Sequence, residues 1–219
     1  KNINFDDQNF PHMSFKEGLI DNIKCRVMRI SFTGELSYEI NIQANYGKAV
    51  WEKCMDAGKE FKITPYGTEA MHLLRAEKGF VIVGQETDGT VTPIDLQMDW
   101  IVSKKKYDFI GKRSLYRSDT MKEGRKQMVG LLTEDPNEVL EEGAQIVAEI
   151  KKKPPMDMLG HVTSSYYSPN LKKSIALAVV KNGKNLNGKK LYIPMKNKII
   201  EVTVSDSVFI DKEGKRLNA

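Results

Sequence analysis

The sequence predicts an α+β fold, in which an antiparallel sheet with helices is followed by a small antiparallel β-barrel. Two observations predict it. In the N-terminal half, an alternating apolar strand pattern precedes two segments of helical spacing. From about residue 126, short apolar runs separated by turn residues repeat at close spacing, which is typical of small antiparallel barrels. We therefore predict two domains, residues 1–122 and residues 123–219.

The first predicted element is a β-hairpin over residues 25–43. Its first strand, Cys25–Phe32, is rich in β-favouring residues, and Gly34 in the following turn can take a positive φ. Apolar residues alternate along the second strand and therefore share one face; they are Leu36, Tyr38, Ile40 and Ile42. Glu39 is then expected mid-strand on the opposite face.

Two helices are predicted after the hairpin. Asn45 is a candidate N-cap for the first. The second has Thr64 as its candidate N-cap and Pro65 at its first position, where the missing amide hydrogen costs nothing, and Gly79 closes its far end. Arg75 lies near that end, where the helix dipole favours a cation.

A strand is then predicted at Met98–Ser103, followed by a connecting segment with a short helix over residues 107–125. The predicted barrel strands are Gln127–Leu132, Ala144–Glu149, Leu159–Ser164, Ile175–Val180, Lys190–Pro194 and Lys198–Val204. The dipeptides Asn182-Gly183 and Asn187-Gly188 are typical of two-residue hairpin turns.

Composition is that of an ordinary globular protein, with 40% hydrophobic and 29% charged residues in a chain of 219. No apolar run approaches the roughly 20 residues that span a bilayer, and no leader sequence is visible. The two cysteines, Cys25 and Cys54, are too few for a disulfide framework. We expect a cytoplasmic protein with no membrane partner.

The chain carries a net charge of +5, with a pI near 9.0. Its lysines are scattered and do not form a basic stripe interleaved with aromatic residues, so no nucleic-acid partner is predicted. The sequence contains no dinucleotide-binding glycine motif, phosphate-binding loop or zinc-protease motif. Its histidines, His12, His72 and His161, are isolated from one another and from cysteine, so no metal site is predicted.

One arrangement of residues could still carry chemistry. Glu39 lies close in sequence to the rings of Phe32 and Tyr38, while Arg75 and Trp100 come from later segments. A carboxylate can accept two parallel N–H bonds from the edge of a flat ring that aromatic side chains stack against, and a guanidinium suits a carboxylate or carbonyl. From spacing alone, the favoured interpretation is that Glu39 lies on a solvated sheet face and that Arg75 is a helix-end charge.

A resemblance to a known family favours the functional interpretation. The segments that carry it are RISFTGELSYEI, TPYGTEAMHLLRAEKG, VGQETDGTVTPIDLQMDWIVSKKKYDFIGKRS and MLGHVTSSYYSPNLKKSIALAVV. In this order and spacing, from about Arg26 to about Phe209, the chain resembles the aminomethyltransferase family of the glycine-cleavage T-protein. Within that family, the segment ITPYGTEAMHLLRAEKGFVIVGQETDGTVTP is most similar to the alpha subunits of heterotetrameric sarcosine oxidases.

The resemblance implies a partial aminomethyltransferase fold with its C-terminal barrel, and a tetrahydrofolate-binding site. Glu39 matches the family glutamate that holds the pterin ring, and Arg75 matches a family arginine lining the folate site. Phe32 replaces a tyrosine of the family pattern. Tyr38 and Trp100 are further candidate folate contacts. The family's catalytic aspartate belongs to an upstream segment that this sequence does not contain, so no catalytic residue is expected here.

In an intact sarcosine oxidase, the resemblance implies oxidative demethylation of sarcosine to glycine, hydrogen peroxide and 5,10-methylenetetrahydrofolate. Flavins and NAD are expected elsewhere in such a complex, and the expected protein partners are its beta, gamma and delta subunits. The isolated chain is expected to be inactive.

Several alternatives stay open. The chain could be a T-protein-type aminomethyltransferase or a relative of dimethylglycine oxidase. It could be a fragment that mainly docks flavin-bearing subunits. A non-catalytic folate-binding regulator is disfavoured, because Phe80 stands where that branch has the cysteine of KGCYxGQE.

Overall fold

The computed structural model describes residues 3–218 and divides into two compact units. The first unit ends at Leu74 and also includes the residues from Asp211 onward, while the second is Arg75–Ile210. This division follows packing within the chain. The domain boundary predicted at residue 122 stays a prediction.

A three-stranded antiparallel sheet forms the centre of the first unit, with strand order β1 (Ser14–Ile20), β2 (Ile23–Arg29) and β3 (Glu39–Ile42). The predicted hairpin is present, because β2 pairs with β3 from Cys25↔Ile42 to Met28↔Glu39. Its second strand is shorter than predicted, so Glu39 is the first residue of β3 and does not lie mid-strand. The core face of β2 packs Cys25 and Val27 against Phe10.

Arg29 ties the two ends of this unit together. It is almost fully buried, and its Nη1 contacts Asp7 Oδ1 at 2.6 Å and donates to the Phe10 carbonyl oxygen at 2.7 Å. Its Nη2 donates to Leu217 O and Asn218 Oδ1, at 3.3 and 3.2 Å. A buried guanidinium is tolerated only when its donors are satisfied, so these acceptors hold the C-terminal residues in the first unit.

Helices α1 (Gly47–Ala57) and α2 (Thr68–Glu77) follow β3, and short 3₁₀ turns flank α1. Both predicted N-caps are wrong. Asn45 lies inside the 3₁₀ turn before α1, where no side chain caps the helix. The Thr64 hydroxyl donates to Lys62 O, and α2 begins four residues later at Thr68. Gly79 has the positive φ of +72° expected just after a helix end.

The second unit is built around a closed antiparallel barrel with strand order β4-β7-β6-β5-β8-β9. Its strands are β4 (Lys126–Thr133), β5 (Gln145–Val147), β6 (Met158–Ser168), β7 (Lys173–Lys181), β8 (Lys190–Pro194) and β9 (Ile199–Ser205). All six predicted strands are present, so the predicted α+β fold with a C-terminal barrel is confirmed. Closure leaves no unpaired sheet edge in this barrel.

Strand β7 explains why the barrel forms in this part of the chain. Seven consecutive residues of β7 are buried, because it is covered on both faces. Ala176, Ala178 and Val180 point into the barrel core, while Leu177 and Val179 pack in clusters with residues outside the barrel strands. Successive side chains of a strand point to opposite faces, so an unbroken apolar run is what a strand buried on both sides requires.

Two further predictions are wrong. Met98–Ser103 is not a strand but contains the 3₁₀ helix Asp99–Ile101. The exposed side chains of Trp100 and Ile101 find no sheet to pack on, and a positive φ at Gln97 turns the chain just before them.

The Asn-Gly dipeptides also do not form hairpin turns, because β7 and β8 are not neighbours in the barrel. They flank a crossing connection with the 3₁₀ helix Gly183–Leu186, in which Asn182 and Gly188 take positive φ values. The connecting segment before the barrel contains two short helices, α3 (Lys112–Leu115) and α4 (Ser118–Met121).

Gly160 offers a test of barrel packing. A Cβ at this position of β6 would lie 1.9 Å from Val179 O, a backbone atom of the neighbouring strand that cannot move aside. We expect Gly160→Ala to lower the free energy of unfolding by about 3 kcal/mol, the upper end of the usual overpacking cost, as measured by urea denaturation.

Gly47→Ala is the matched control. Gly47 is the first residue of α1, has helical backbone angles, and nothing lies within 4 Å of an added Cβ. Its replacement should leave stability unchanged or raise it by up to about 1 kcal/mol. Equal stability of the Gly160→Ala variant and the parent would contradict the packing described for β6 and β7.

Candidate functional site

The exposed face of the three-stranded sheet carries the first candidate residue. Phe15, Met28 and Glu39 lie directly opposite one another across β1, β2 and β3, and therefore share a face. One oxygen of the Glu39 carboxylate accepts a hydrogen bond from Asn41 Nδ2 at 3.1 Å. Within residues 3–218, the other oxygen has no hydrogen-bond partner. Glu39 is thus an exposed acceptor beside an apolar and an aromatic side chain.

The remainder of that face is polar. Arg26 lies between Glu17 and Asn41 in the strand register, contacts Glu17 Oε1 at 2.7 Å and lies over the Phe15 ring at 5.2 Å. A cavity of about 640 Å³ covers this part of the sheet, with Glu17, Lys24, Arg26 and Asn41 in its lining. A flat ligand on this face would therefore meet a carboxylate, a guanidinium and an aromatic ring.

The two predicted aromatic neighbours of Glu39 are placed differently from each other. Tyr38 is half-buried and packs edge-on against Phe5, with ring centroids 5.1 Å apart, and against Phe10 at 5.7 Å. Phe32 lies in the loop between β2 and β3 and is 40% exposed. Tyr38 therefore belongs to the aromatic core of the first unit, whereas the Phe32 ring is accessible.

Arg75 is fully buried at the end of α2 and lies in a polar network of the second unit. Its Nη1 contacts Glu86 Oε2 at 2.8 Å and donates to Phe80 O at 3.1 Å. Its Nη2 donates to Ser164 Oγ at 2.6 Å, with Gln85 and Tyr166 at 3.4 Å. The Nε has no hydrogen-bond partner in the described chain. Arg75 is therefore not the solvated helix-end charge that spacing alone allowed.

Glu86 completes this network. It is 2% exposed and accepts hydrogen bonds from Arg75, from the Ile82 amide at 2.7 Å and from the Ser164 hydroxyl. One carboxylate thus joins α2, the loop after it and strand β6. Neither Glu86 nor Ser164 is among the predicted site residues; the signal that could have found Glu86 is a buried arginine's need for an anion.

The five predicted site residues fall in different units. Phe32, Tyr38 and Glu39 belong to the first unit, where Tyr38 and Glu39 are neighbours at the start of β3. Arg75 and Trp100 belong to the second. Trp100 is 76% exposed, and the ring that Arg75 contacts is Tyr166, at 5.9 Å. The structure therefore groups three of the five predicted residues within one compact unit.

Another buried carboxylate lies close to Arg75 in sequence. Glu77 accepts hydrogen bonds from the Ser168 hydroxyl and from Asn170 Nδ2.

The pKa of His161 is lowered, first by burial and then by the nearby charge of Lys126, so this imidazole is neutral at pH 7. Among residues 3–218, no group of three or more potential metal ligands is found. In the same part of the chain, no helix has the length and apolar character of a membrane span.

Comparison with family models identifies the class of protein. Residues 1–106 match the GCVT N-terminal domain, and residues 126–211 match the glycine cleavage T-protein C-terminal barrel domain. The two matches together cover most of the chain in the expected order. The chain therefore belongs to the glycine cleavage T-protein family of aminomethyltransferases.

Individual relatives show which members of the family the chain is similar to. The chain is 51% identical over 210 residues to the sarcosine oxidase subunit alpha of Corynebacterium sp. (strain P-1), covering 94% of this chain and 22% of that protein. It is 36% identical to the corresponding subunit of Rhizobium meliloti (strain 1021), over 97% of this chain and 22% of that one. An aminomethyltransferase of Thermoanaerobacter pseudethanolicus is 31% identical, over 92% of this chain and 53% of that protein.

A solved structure supports the fold. The aminomethyltransferase T of the glycine cleavage system from Bartonella henselae superimposes with a TM-score of 0.77 at 23% identity, covering 92% of this chain and 53% of that one. The chain thus spans about a fifth of the length of the sarcosine oxidase subunits and about half that of the aminomethyltransferases.

The buried Arg75–Glu86 pair gives a stability prediction. Glu86→Gln would leave the guanidinium charge buried without an anion, and breaking such a pair from one side costs about 3–5 kcal/mol. We expect the free energy of unfolding from urea denaturation to fall by that amount. Glu17→Gln, which breaks the exposed pair with Arg26, is the control and should cost less than about 1 kcal/mol. Similar losses in both variants would contradict the burial of the network.

Proposed function

We propose that this chain supplies the tetrahydrofolate-binding region of a sarcosine oxidase alpha subunit. The observation that carries the proposal is the exposed Glu39 carboxylate, which lies beside Met28 and Phe15 and has one oxygen without a hydrogen-bond partner among residues 3–218. Similarity at 51% identity to subunits named for sarcosine oxidation supports the choice of branch.

The residues around Glu39 fit the ring of a folate. A pterin presents adjacent N–H donors along one edge, and a carboxylate can accept two of them in parallel. Met28 and Phe15 supply apolar surface for the flat face, because they extend from Glu39 across the sheet. The accessible Phe32 ring is a further candidate contact, whereas Tyr38 would act by supporting β3 through its packing against Phe5 and Phe10.

The proposed role of these residues is positioning. Bound tetrahydrofolate would supply nitrogen atoms that accept a one-carbon unit. Glu39 would fix the orientation of the ring, and holding two reactants in place removes much of the entropic cost of a bimolecular encounter. The oxidation of sarcosine, with its flavins and NAD, would take place in other parts of the complex, with the beta, gamma and delta subunits as partners.

Arg75 remains in the proposal as a residue of the folate region, together with Trp100. Because both Nη atoms of Arg75 are engaged with protein acceptors, we propose that it acts mainly by holding the loop from Phe80 to Glu86 in place. Trp100, with three quarters of its surface exposed, is available to a ligand or to a partner protein.

A second candidate function, docking of a partner subunit, is favoured by one observation. The segment from Trp100 to Met121 exposes several large apolar side chains, and contiguous exposed apolar patches mark interaction sites. They are Trp100, Ile101, Tyr107, Ile110, Tyr116 and Met121. Docking and folate binding are compatible roles in one subunit.

The folate proposal is tested at Glu39. We expect Glu39→Ala in the full chain to weaken binding of tetrahydrofolate at least tenfold in isothermal titration calorimetry, because hydrogen bonds to a charged acceptor contribute about 1.5–3 kcal/mol each. Glu52→Ala on α1 removes an exposed carboxylate of the same unit and should bind as the parent does. Equal affinity of the Glu39→Ala variant and the parent would refute the role of Glu39.

A further inference from the structure

A second cavity lies entirely within the barrel unit and is lined by none of the five predicted site residues. It measures about 550 Å³, within the usual size range of small-molecule sites. The loop 89–92 and the segment 117–126 form its walls, together with the adjoining ends of β4 and β7. Its lining contains five cationic side chains and one carboxylate; the cations are Arg117, Lys122, Arg125, Lys126 and Lys181, and the carboxylate is Asp119.

Two of these cations, Lys126 and Lys181, lie close enough to repel each other. Lys126 and Lys181 lie directly opposite each other in the β4–β7 register, and like charges at such positions repel and destabilise the sheet. Within residues 3–218, neither ammonium group has an ion-pair or hydrogen-bond partner. Burial lowers the pKa of His161, and the nearby positive charge of Lys126 lowers it further. Asp88 lies within electrostatic range of Lys126, and Asp157 within range of Lys181, because each lysine helps to lower the pKa of that carboxyl. The two ammonium groups are thus partly compensated from a distance, and neither is held in a direct ion pair within the described residues.

Arg125 gives the cavity a rigid wall. It is only 11% exposed, and its Nη2 contacts Asp95 Oδ2 at 2.6 Å and donates to Thr90 O at 2.7 Å. Burial raises the pKa of Asp95, but hydrogen bonds from Arg125 and Thr92 outweigh burial and hold the pKa below its ordinary value. Asp95 is consequently ionised at neutral pH and keeps Arg125 in place.

Asp119 does not cancel the remaining charge. Its carboxylate already contacts Lys122 Nζ at 2.6 Å and lies 3.7 Å from Arg125 Nη1. Its charge is thus shared between Lys122, Arg125 and, at longer range, Arg117. Within residues 3–218, Arg117, Lys126 and Lys181 have no carboxylate at ion-pair distance, and they line a concave volume that a small molecule could fill.

We propose that this cavity is a binding site for a small, multiply charged oxyanion, carrying phosphate or carboxylate groups. Cations that converge on a concave space suit a compact anion, whereas a nucleic acid is bound along an extended groove with aromatic stacking platforms. The anion would lie between Lys126 and Lys181 and replace their mutual repulsion with attraction. Arg117 would be a further contact, while Arg125, whose nitrogens donate to Asp95, Asp119 O and Thr90 O, would contribute its charge.

The test uses the full chain, with inorganic pyrophosphate and citrate as separate probes in isothermal titration calorimetry. We expect saturable binding of at least one probe at one site per chain. A double variant, Lys126→Gln with Lys181→Gln, should weaken that binding at least tenfold. The matched control, Lys104→Gln with Lys105→Gln, removes the same charge from an exposed run elsewhere in the barrel unit and should change affinity less than twofold.

Thermal unfolding without added anion separates a binding defect from a folding defect. Because the cavity variant removes a repulsion, its Tm should equal or exceed that of the parent. Binding of pyrophosphate alone would identify a phosphate ligand, and binding of citrate alone a carboxylate ligand; either result supports the site. Absence of saturable binding to both probes, or equal weakening in the cavity and control variants, would overturn the proposal. Binding of a short single-stranded DNA but of neither probe would also overturn it.

Discussion

The buried ion pair between Arg75 and Glu86 is the constraint on which the second unit depends. A guanidinium at zero exposure is costly unless its charge and its donors are satisfied. Glu86 supplies the charge, and Phe80 O and Ser164 supply further acceptors. Since Arg75 lies in α2 and these partners lie in the loop that follows and in β6, satisfying one side chain fixes three segments. The loop that carries the family's GQE sequence is therefore held by electrostatics as well as by packing.

The same principle organises the first unit with a different arginine. Arg29 is also buried, and its acceptors lie near both ends of the chain, at Asp7 and Phe10 and at Leu217 and Asn218. Glu39 differs from both arginines, because it is exposed and one of its oxygens has no partner in the described residues. Charges that the protein satisfies internally serve the fold. A charge left unsatisfied on an accessible face is available for a ligand.

Prediction from sequence succeeded where local pattern decides structure. The six barrel strands were located because each is a short apolar run between turn residues, and β7 could be identified by its continuous run alone. The order of the strands around the barrel was not predictable, because it depends on pairings far apart in sequence. Strand β1 was missed although Asp21 and Asn22, which both take positive φ, form a tight connection to β2. The hairpin turns predicted from the Asn-Gly dipeptides were wrong, because residues that favour positive φ indicate a turn but do not indicate which strands the turn joins.

The candidate site shows a similar division. Period-two alternation predicts that Glu39 points away from the apolar residues of its strand, and Glu39 is exposed in the structure. The surroundings of Arg75 did not follow from any pattern, because its partners lie 11 and 89 residues further along the chain. Trp100 falls in a predicted strand, whereas the structure places it in the 3₁₀ helix Asp99–Ile101 with its side chain exposed. The sequence therefore indicates which charged side chains are candidates for a site. Their burial in the structure distinguishes charges that serve the fold from charges that a ligand can reach.

The return of the chain to its first unit after the barrel has a consequence for modular exchange. The barrel unit is an insertion, entered after Leu74 and left at Ile210, so the polypeptide crosses between the units twice. A single recombination event could not replace the barrel without also replacing the residues that satisfy Arg29. Any transplanted barrel would need both junctions, and the short segment beyond Ile210 would have to stay with its original sheet. Because the chain passes from the first unit to the barrel unit and back, the two units cannot be exchanged independently by a single crossover.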